Sequence, residues 1–154
     1  MTALTIREDD LSHEQTRALL ALHLAGMHET SPPENVFALD LSGLQQPGIT
    51  VWSAWAGEAI AGIGALKALD GRTGEIKSMR THPDHLRKGV GAAILDHIVA
   101  EARRRGLTRL SLETGRGPAF EPALAMYRTR GFAPGEAFAD YRPNAFSQFM
   151  HLDL

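Results

Sequence analysis

Apolar residues recur along the chain at two different spacings, which predict two kinds of element. Alternating or continuous apolar runs predict strands over Ala3–Arg7, Ile49–Ala56, Ala59–Leu69, Glu75–Thr81, Leu107–Thr114 and Phe146–Leu154, with another beginning at Phe132. Apolar residues three and four positions apart predict helices over His13–Gly26, Lys88–Arg105 and Pro122–Arg130, and the segment 36–44 is a candidate short helix. Helices that alternate with strands favour an α/β or α+β fold with a mixed sheet.

Capping and turn residues predict where some of these elements begin and end. Ser12 with Gln15 three positions later has the spacing of a capping box, which would start the first helix. Gly106 is expected to end the second of the three longer helices, because glycine adopts the left-handed backbone of a helix terminus. Trp52 and Trp55 are expected to pack in the strand, and because they fall on opposite faces of the predicted hairpin, one of the two is a candidate for exposure.

The composition excludes several classes of protein. With 154 residues, 44% of them hydrophobic and 22% charged, the chain has the make-up of one globular domain over residues 1–154. It has no run of about 20 apolar residues to span a membrane and no secretory pattern in its first ten residues. It contains no cysteine, which excludes disulfides and thiolate zinc sites and is compatible with the cytoplasm.

Basic residues are concentrated in one part of the chain. Arg80 to Arg130 holds ten Lys and Arg against five Asp and Glu, a net charge of +5, and the remainder carries −7. A local basic segment in a mildly acidic chain predicts an anion site rather than a nucleic-acid surface. His82 and His85 are too isolated from other ligands to make a metal site, so we predict no metal.

A glycine-containing loop joins a predicted strand to the clearest predicted helix. Its sequence, Arg87-Lys88-Gly89-Val90-Gly91-Ala92, combines two glycines with two cations at a helix start, where free N–H groups bind phosphate oxygens. The loop does not have the spacing of a Walker motif, and Ile94 stands where the dinucleotide fingerprint needs glycine. The alternative is that the two glycines only permit a tight turn.

Two segments resemble the hallmarks of the GNAT superfamily of N-acetyltransferases. Residues 74–95, GEIKSMRTHPDHLRKGVGAAIL, resemble its acetyl-CoA motif, and residues 125–132, AMYRTRGF, resemble its tyrosine helix with the following Gly-Phe. Together with LETG at 112–115 and FADYR at 138–142, they are similar to a bacterial subgroup of small, poorly characterised members. Leu86 replaces the usual Arg or Gln, and Phe120 replaces the usual Asn, which removes two polar contacts to the cofactor.

This resemblance implies a splayed mixed sheet of six to seven strands flanked by about four helices, with acetyl-CoA as co-substrate. The acetyl-CoA would lie where the strand Glu75–Thr81 parts from Leu107–Thr114, with its pantetheine arm pairing with the first strand as an added strand does. The expected cofactor-binding residues are Met79, Arg80, Thr81, Arg87, Lys88, Gly89, Val90, Gly91, Ala92, Phe120 and Tyr127.

Acetyl transfer to an amine needs a base for the ammonium, a donor for the developing oxyanion and an acid for the departing thiolate. The family position of Tyr127 makes it the candidate acid, and Glu75 and Glu113 are the candidate bases. His28, Glu75, Arg80 and Tyr141 are the candidate substrate-binding residues, and Arg80, Tyr141 and Arg142 together could clamp a substrate carboxylate.

Three functions fit these residues. The first is direct transfer of acetyl from acetyl-CoA, in a ternary complex, to the primary amine of a small molecule or amino acid. The second is acetylation of a protein lysine or N-terminus, and the third is a catalytically degenerate acyl-CoA-binding module. In each case we expect a cytoplasmic monomer or homodimer with no nucleic-acid or membrane partner.

Overall fold

The computed structural model of the chain describes residues 3–154, which form seven strands and four α-helices. The strands are β1 (Leu4–Glu8), β2 (Ile49–Ala56), β3 (Ala59–Ala68), β4 (Thr73–Thr81), β5 (Arg109–Thr114), β6 (Ala133–Pro134) and β7 (Gln148–Asp153). The helices are α1 (Glu14–Thr30), α2 (Leu41–Leu44), α3 (Val90–Arg104) and α4 (Glu121–Thr129). The strands form one sheet in the order β1-β2-β3-β4-β5-β7-β6, in which only β4 and β5 are parallel. The expected mixed fold is confirmed.

The first helix differs from its prediction at both ends. His13 caps it, because the ring Nδ1 accepts a hydrogen bond from the Gln15 N–H at 3.1 Å. The predicted capping box at Ser12 is wrong, since the Ser12 hydroxyl donates to Asp10 instead. The helix also continues past Gly26 to Thr30, so this glycine lies inside the helix and does not end it.

Helices cover both faces of the sheet and make two hydrophobic clusters. The rear cluster packs α3 and α4 on the sheet and includes Trp52, whereas the front cluster packs α1 and α2 and includes Trp55. Both tryptophans are only 4% exposed, so the expected strand packing is confirmed and the candidate exposure of one ring is not observed. A strand pattern assigns the two rings to opposite faces but does not show that both faces are covered. No helix among residues 3–154 has the length and apolar character that crossing a bilayer requires.

The parallel pairing of β4 with β5 stops after three residues. Thr73 to Glu75 pair with Arg109 to Ser111, and beyond this point the two strands separate. On its other side β4 pairs with β3 to its end, but with a bulge in which Ser78 takes a left-handed backbone with φ 57°. A bulge bends a strand locally and leaves one residue unpaired. The sheet therefore opens between its two central strands.

Helix α3 packs directly on the backbone of β3. A Cβ atom built at the buried Gly64 would come within 2.6 Å of the Ile94 Cγ2 and the Met79 Sδ atoms. We expect Gly64→Ala to lower the free energy of unfolding by about 1–3 kcal/mol, because the helix must move off the strand. Urea denaturation measures the change. Gly71→Ala is the matched control, since a Cβ there meets no atom within 4 Å, and equal stability of the two variants would contradict the prediction.

Candidate active site

A cleft of about 870 Å³ lies where β4 and β5 separate. Its lining includes Met79 and Met126 from the rear of the sheet and His23, Phe37 and Tyr141 from the front. It therefore passes between the strands from one face of the sheet to the other. A ligand that enters at one face can meet a second ligand that enters at the opposite face.

The rear wall of the cleft is the loop before α3 and the first turn of that helix. Arg87 and Gly89 both have left-handed backbones, with φ 62° and 79°, a local geometry that forms anion-binding concavities. The first backbone hydrogen bond of the helix is donated by the Ala93 N–H to the Gly89 carbonyl oxygen at 3.0 Å. The N–H groups that precede Ala93 in the first turn therefore have no helical partner. Within this described segment the first turn carries no acidic residue. The loop is therefore suited to a phosphate group.

Most of the predicted cofactor-binding residues line this one cleft. They are Met79, Arg80, Thr81, Arg87, Gly89, Val90, Gly91, Ala92, Phe120 and Tyr127. Lys88 is exposed and is not among the lining residues. Leu86, which stands where the family usually has a polar residue, is 57% exposed at the edge of the cleft.

Tyr127 lies on α4 and reaches the cleft from the rear face. The residue is 5% exposed, and its ring packs edge-to-face against Phe132 with 5.6 Å between the ring centroids. Burial raises the pKa of the Tyr127 hydroxyl above its usual value near 10. The hydroxyl therefore keeps its proton at neutral pH and can act as a donor.

Glu75 is held by two neighbouring side chains. It is 3% exposed, and its Oε2 atom accepts hydrogen bonds from the Tyr141 hydroxyl at 2.5 Å and the Lys77 ammonium at 3.2 Å. Lys77 also donates to the Tyr141 hydroxyl at 2.9 Å. The ammonium of Lys77 compensates the charge of this buried carboxylate. Sequence reasoning missed Lys77, although its position two residues after Glu75 on a strand places both side chains on one face.

Glu113 is the second carboxylate of the cleft and has a different environment. It is half-buried on β5, and desolvation raises the pKa of its carboxyl above the usual glutamate value. A carboxylate with a raised pKa is a stronger base than an ordinary glutamate. The two predicted bases therefore lie in the same cleft, but Glu75 is engaged by two donors.

The two histidines near the end of α1 have different positions. His28 is exposed and does not belong to the cleft lining, whereas His23 is 6% exposed and does belong to it. The ring Nδ1 of His23 accepts a hydrogen bond from the Arg80 Nε–H at 3.0 Å. Burial, reinforced by the charge of Arg80, lowers the pKa of His23 to about 4. The helical spacing of His23 from Leu19 and Leu20 puts it on the apolar face of α1, and only packing against β4 brings it to Arg80.

Of the three residues predicted to clamp a carboxylate, Arg80 and Tyr141 line the cleft, whereas Arg142 is exposed and does not. The Arg80 guanidinium reaches α1, and the Tyr141 hydroxyl is bound to Glu75. Across residues 3–154, no three His, Asp or Glu side chains gather in a group that could hold a metal ion.

Comparison with known proteins identifies the class of this site. Residues 13–132 match the model of the acetyltransferase (GNAT) family. The chain is 51% identical over 150 residues to the uncharacterized N-acetyltransferase YedL of Escherichia coli K12, which covers 97% of this chain and 94% of that protein. It is 53% identical over 145 residues to the uncharacterized N-acetyltransferase YsnE of Bacillus subtilis 168, covering 94% and 96% of the two chains.

A solved structure has the same fold over the whole chain. The crystal structure of a candidate acyl-CoA N-acyltransferase from Klebsiella pneumoniae superposes with a TM-score of 0.81 at 30% identity, covering 98% of this chain and 97% of that one. The loop 87–92 before α3 is called the anion cradle below. The parted sheet together with this cradle fits an acyl-CoA-dependent transferase. The chain belongs to the acetyltransferase (GNAT) family, whose co-substrate is acetyl-CoA.

The cradle before α3 predicts how acetyl-CoA affects stability. At 100 times its Kd, a ligand of the folded state adds about 2.7 kcal/mol to the free energy of unfolding, so thermal scans with CoA or acetyl-CoA should show a raised Tm. Gly91→Glu should abolish this rise, because it places a carboxylate against the phosphates. Gly71→Glu, with the same charge change in an exposed turn, should keep it. A Tm that is insensitive to CoA in the unmutated protein would contradict the cradle assignment.

The buried neutral His23 predicts a pH dependence of stability. In the unfolded chain this histidine titrates near 6.5, whereas in the folded protein it resists protonation down to about 4. Between these values the unfolded state binds more protons, so the free energy of unfolding falls as the pH falls, by about 3 kcal/mol in total. His23→Gln keeps a hydrogen-bond acceptor without titrating there, so its stability should fall less between pH 7 and 4. Parallel pH profiles from urea denaturation would contradict this.

Proposed function

We propose that the protein transfers the acetyl group of acetyl-CoA to the primary amine of a small molecule or amino acid by direct attack in a ternary complex. The observation that carries the proposal is that the anion cradle, the buried Tyr127 hydroxyl and the Glu75 and Glu113 carboxylates all line one cleft. The cleft opens on both faces of the sheet, which suits two substrates that meet between β4 and β5.

Acetyl-CoA supplies an activated acyl group, and the rear half of the cleft fits it. The proposed pyrophosphate site is the loop 87–92, where the free N–H groups of the first turn and the Arg87 guanidinium offer donors. The edge of β4 beyond Glu75 is not paired with β5, so backbone groups of Met79 and Thr81 are free to pair with the pantetheine amides as an added strand does. Leu86 and Phe120 offer apolar contacts only, so the backbone carries the larger part of binding.

Glu113 is the carboxylate that we favour as general base. An amine of pKa about 10.4 is protonated at neutral pH and must lose a proton before it can attack. The raised pKa of Glu113 suits that proton transfer, directly or through a water molecule. Glu75, whose Oε2 already accepts from Lys77 and Tyr141 and whose charge Lys77 compensates, is better suited to shaping the substrate site.

We propose two hydrogen-bond donors for the negative charge that develops during transfer, one at the thioester oxygen and one at the departing sulfur. The bulge in β4 leaves a backbone N–H near Met79 without a regular partner on β3, and this group could polarise the thioester oxygen. The protonated hydroxyl of Tyr127 would donate to the departing thiolate, whose charge grows only in the transition state. The interaction then contributes to kcat more than to binding.

We further propose that the enzyme acts in the cytoplasm, since its cysteine-free sequence is compatible with a reducing compartment, and that it is a monomer or homodimer. The proposed reaction does not depend on the compartment or on the number of subunits. Acetylation of a protein lysine or N-terminus is the competing activity, because the same base and acid would serve either amine.

A panel of acceptors separates these activities. Amines, amino acids and short peptides are incubated with acetyl-CoA, and the release of free CoA is followed. Small acceptors with kcat/KM above that of peptides support the proposal. A clear preference for peptides would replace it with protein acetylation, and CoA binding without turnover of any acceptor would indicate a degenerate binding module.

Tyr127→Phe tests the acid directly. The variant keeps the ring and its packing against Phe132, so its Tm should change little, whereas kcat should fall by about 10²–10⁴-fold and the KM for acetyl-CoA should stay nearly constant. Steady-state kinetics with the acceptor found in the panel measures both constants. An unchanged kcat would remove Tyr127 from the mechanism and leave the thiolate to be protonated by water.

A further inference from the structure

Arg80 is a half-buried cation inside the cleft whose charge no carboxylate balances. Its guanidinium lies against α1, where Nε donates to the His23 ring and Nη2 donates to the His23 carbonyl at 3.4 Å. No Asp or Glu among residues 3–154 lies within 4.0 Å of it in an ion pair. Burial also lowers the pKa of Arg80. A desolvated cation without a counter-charge destabilises a fold, so such a group indicates a ligand.

The two hydrogen bonds to His23 leave a defined part of the guanidinium free. An arginine has five N–H donors in a planar fork, and His23 takes one from Nε and one from Nη2. Both N–H groups of Nη1 and one of Nη2 remain, and these are the groups with which arginine binds a carboxylate in a bidentate manner. Because the His23 ring accepts through Nδ1, it fixes the plane of the fork while remaining neutral.

A glycine inside α1 makes the space for this arrangement. A Cβ atom built at Gly26 would come within 2.8 Å of the Arg80 Nη2 atom. Glycine within a helix costs about 1 kcal/mol relative to alanine, yet this helix runs four residues beyond it, to Thr30. The helix therefore carries an unfavourable residue where the guanidinium needs room.

We propose that Arg80, oriented by His23 and accommodated by Gly26, binds a carboxylate of the acceptor, so that the acceptor is an amino acid or another amine that carries a carboxylate. The inference rests on the acetyl transfer proposed above and specifies its substrate class. His23 is a positioning residue, because it acts only through Arg80.

The position of the guanidinium favours the acceptor over the acyl group as the source of the carboxylate. The phosphate cradle belongs to α3, whose residues pack on the rear of the sheet, whereas Arg80 reaches α1, whose residues pack on the front. An acyl-CoA that enters from the rear leaves the front opening, lined by Arg80, Phe37 and Tyr141, for the second substrate.

The experiment compares each protein amino acid that has a primary α-amine with its α-carboxamide, which keeps the amine and removes the charge of the α-carboxylate. The unmutated enzyme should favour the acid by about 10- to 100-fold in kcat/KM, the usual effect of a hydrogen-bonded charge. Arg80→Gln should bring this ratio close to one by raising the KM of the acid, with little change in the KM for acetyl-CoA. Gly26→Ala should do the same through displacement of the guanidinium, while helix propensity maintains its stability.

Two further variants test the arrangement around Arg80. His23→Leu should raise the KM of the acid, and His23→Gln should restore it, because the amide oxygen can accept from Nε. Arg103→Gln is the matched control, since Arg103 is exposed at the end of α3, and it should keep the preference for the acid. Equal use of acid and amide by the unmutated enzyme, or a preference that survives in Arg80→Gln, would overturn the inference.

Two other outcomes are decided in the same assay. If succinyl-CoA replaces acetyl-CoA with higher kcat/KM and this gain is lost in Arg80→Gln, the carboxylate belongs to the acyl group and the acceptor assignment is wrong. If no acceptor is acetylated, the proposed function fails, and thermal scans of the CoA-saturated protein with each amino acid and its carboxamide decide the inference alone. A Tm rise with acids that Arg80→Gln abolishes supports the carboxylate site, and the absence of any such rise overturns it.

Discussion

The site depends on the separation of β4 from β5 after three paired residues. A strand between two partners has its backbone groups satisfied on both sides, and β4 loses one partner beyond Glu75. The left-handed bulge at Ser78 accompanies this separation on the β3 side, where regular register would otherwise hold β4 straight. Continuous pairing would close the cleft and leave the side chains around it in an ordinary core.

The separation places charged side chains in a half-buried space, and some of them have an ion-pair partner whereas others do not. The ammonium of Lys77 compensates Glu75, with Tyr141 completing the cluster. Among residues 3–154 Glu113 has no ion-pair partner, and desolvation raises its pKa although the charge of Lys77 opposes that shift. Arg80 is held by a neutral histidine. A carboxylate and a guanidinium without ion-pair partners in one cleft are what a substrate that carries both an ammonium and a carboxylate would complement.

Local features of this protein could be predicted from the sequence because their causes are local. The loop 87–92 combines glycines and cations at the start of an amphipathic helix, and this local combination predicts a turn suited to an anion. Strand β2 was predicted at its observed ends, Ile49–Ala56, because a segment rich in Ile, Thr, Val and Trp lies between turn residues. The family resemblance added what spacing could not provide, the pairing of that loop with the tyrosine on α4 and hence a predicted position for acetyl-CoA in the parted sheet.

Contacts between distant residues were decided only by the tertiary structure. Arg80 meets His23, 57 positions earlier, and Lys77 meets Tyr141, 64 positions later. Periodicity assigns His23, Lys77 and Arg80 to a face of α1 or β4, and Tyr141 lies in a loop without any period, so which groups meet depends on how the whole chain packs. The prediction that the first helix ends at Gly26 was wrong for the same reason, since a glycine in a sequence pattern indicates a helix end and its distant neighbours cannot be read from the pattern. The place of Gly26 inside α1 is explained by the Arg80 guanidinium beside it, because a side chain at that position would occupy the same space.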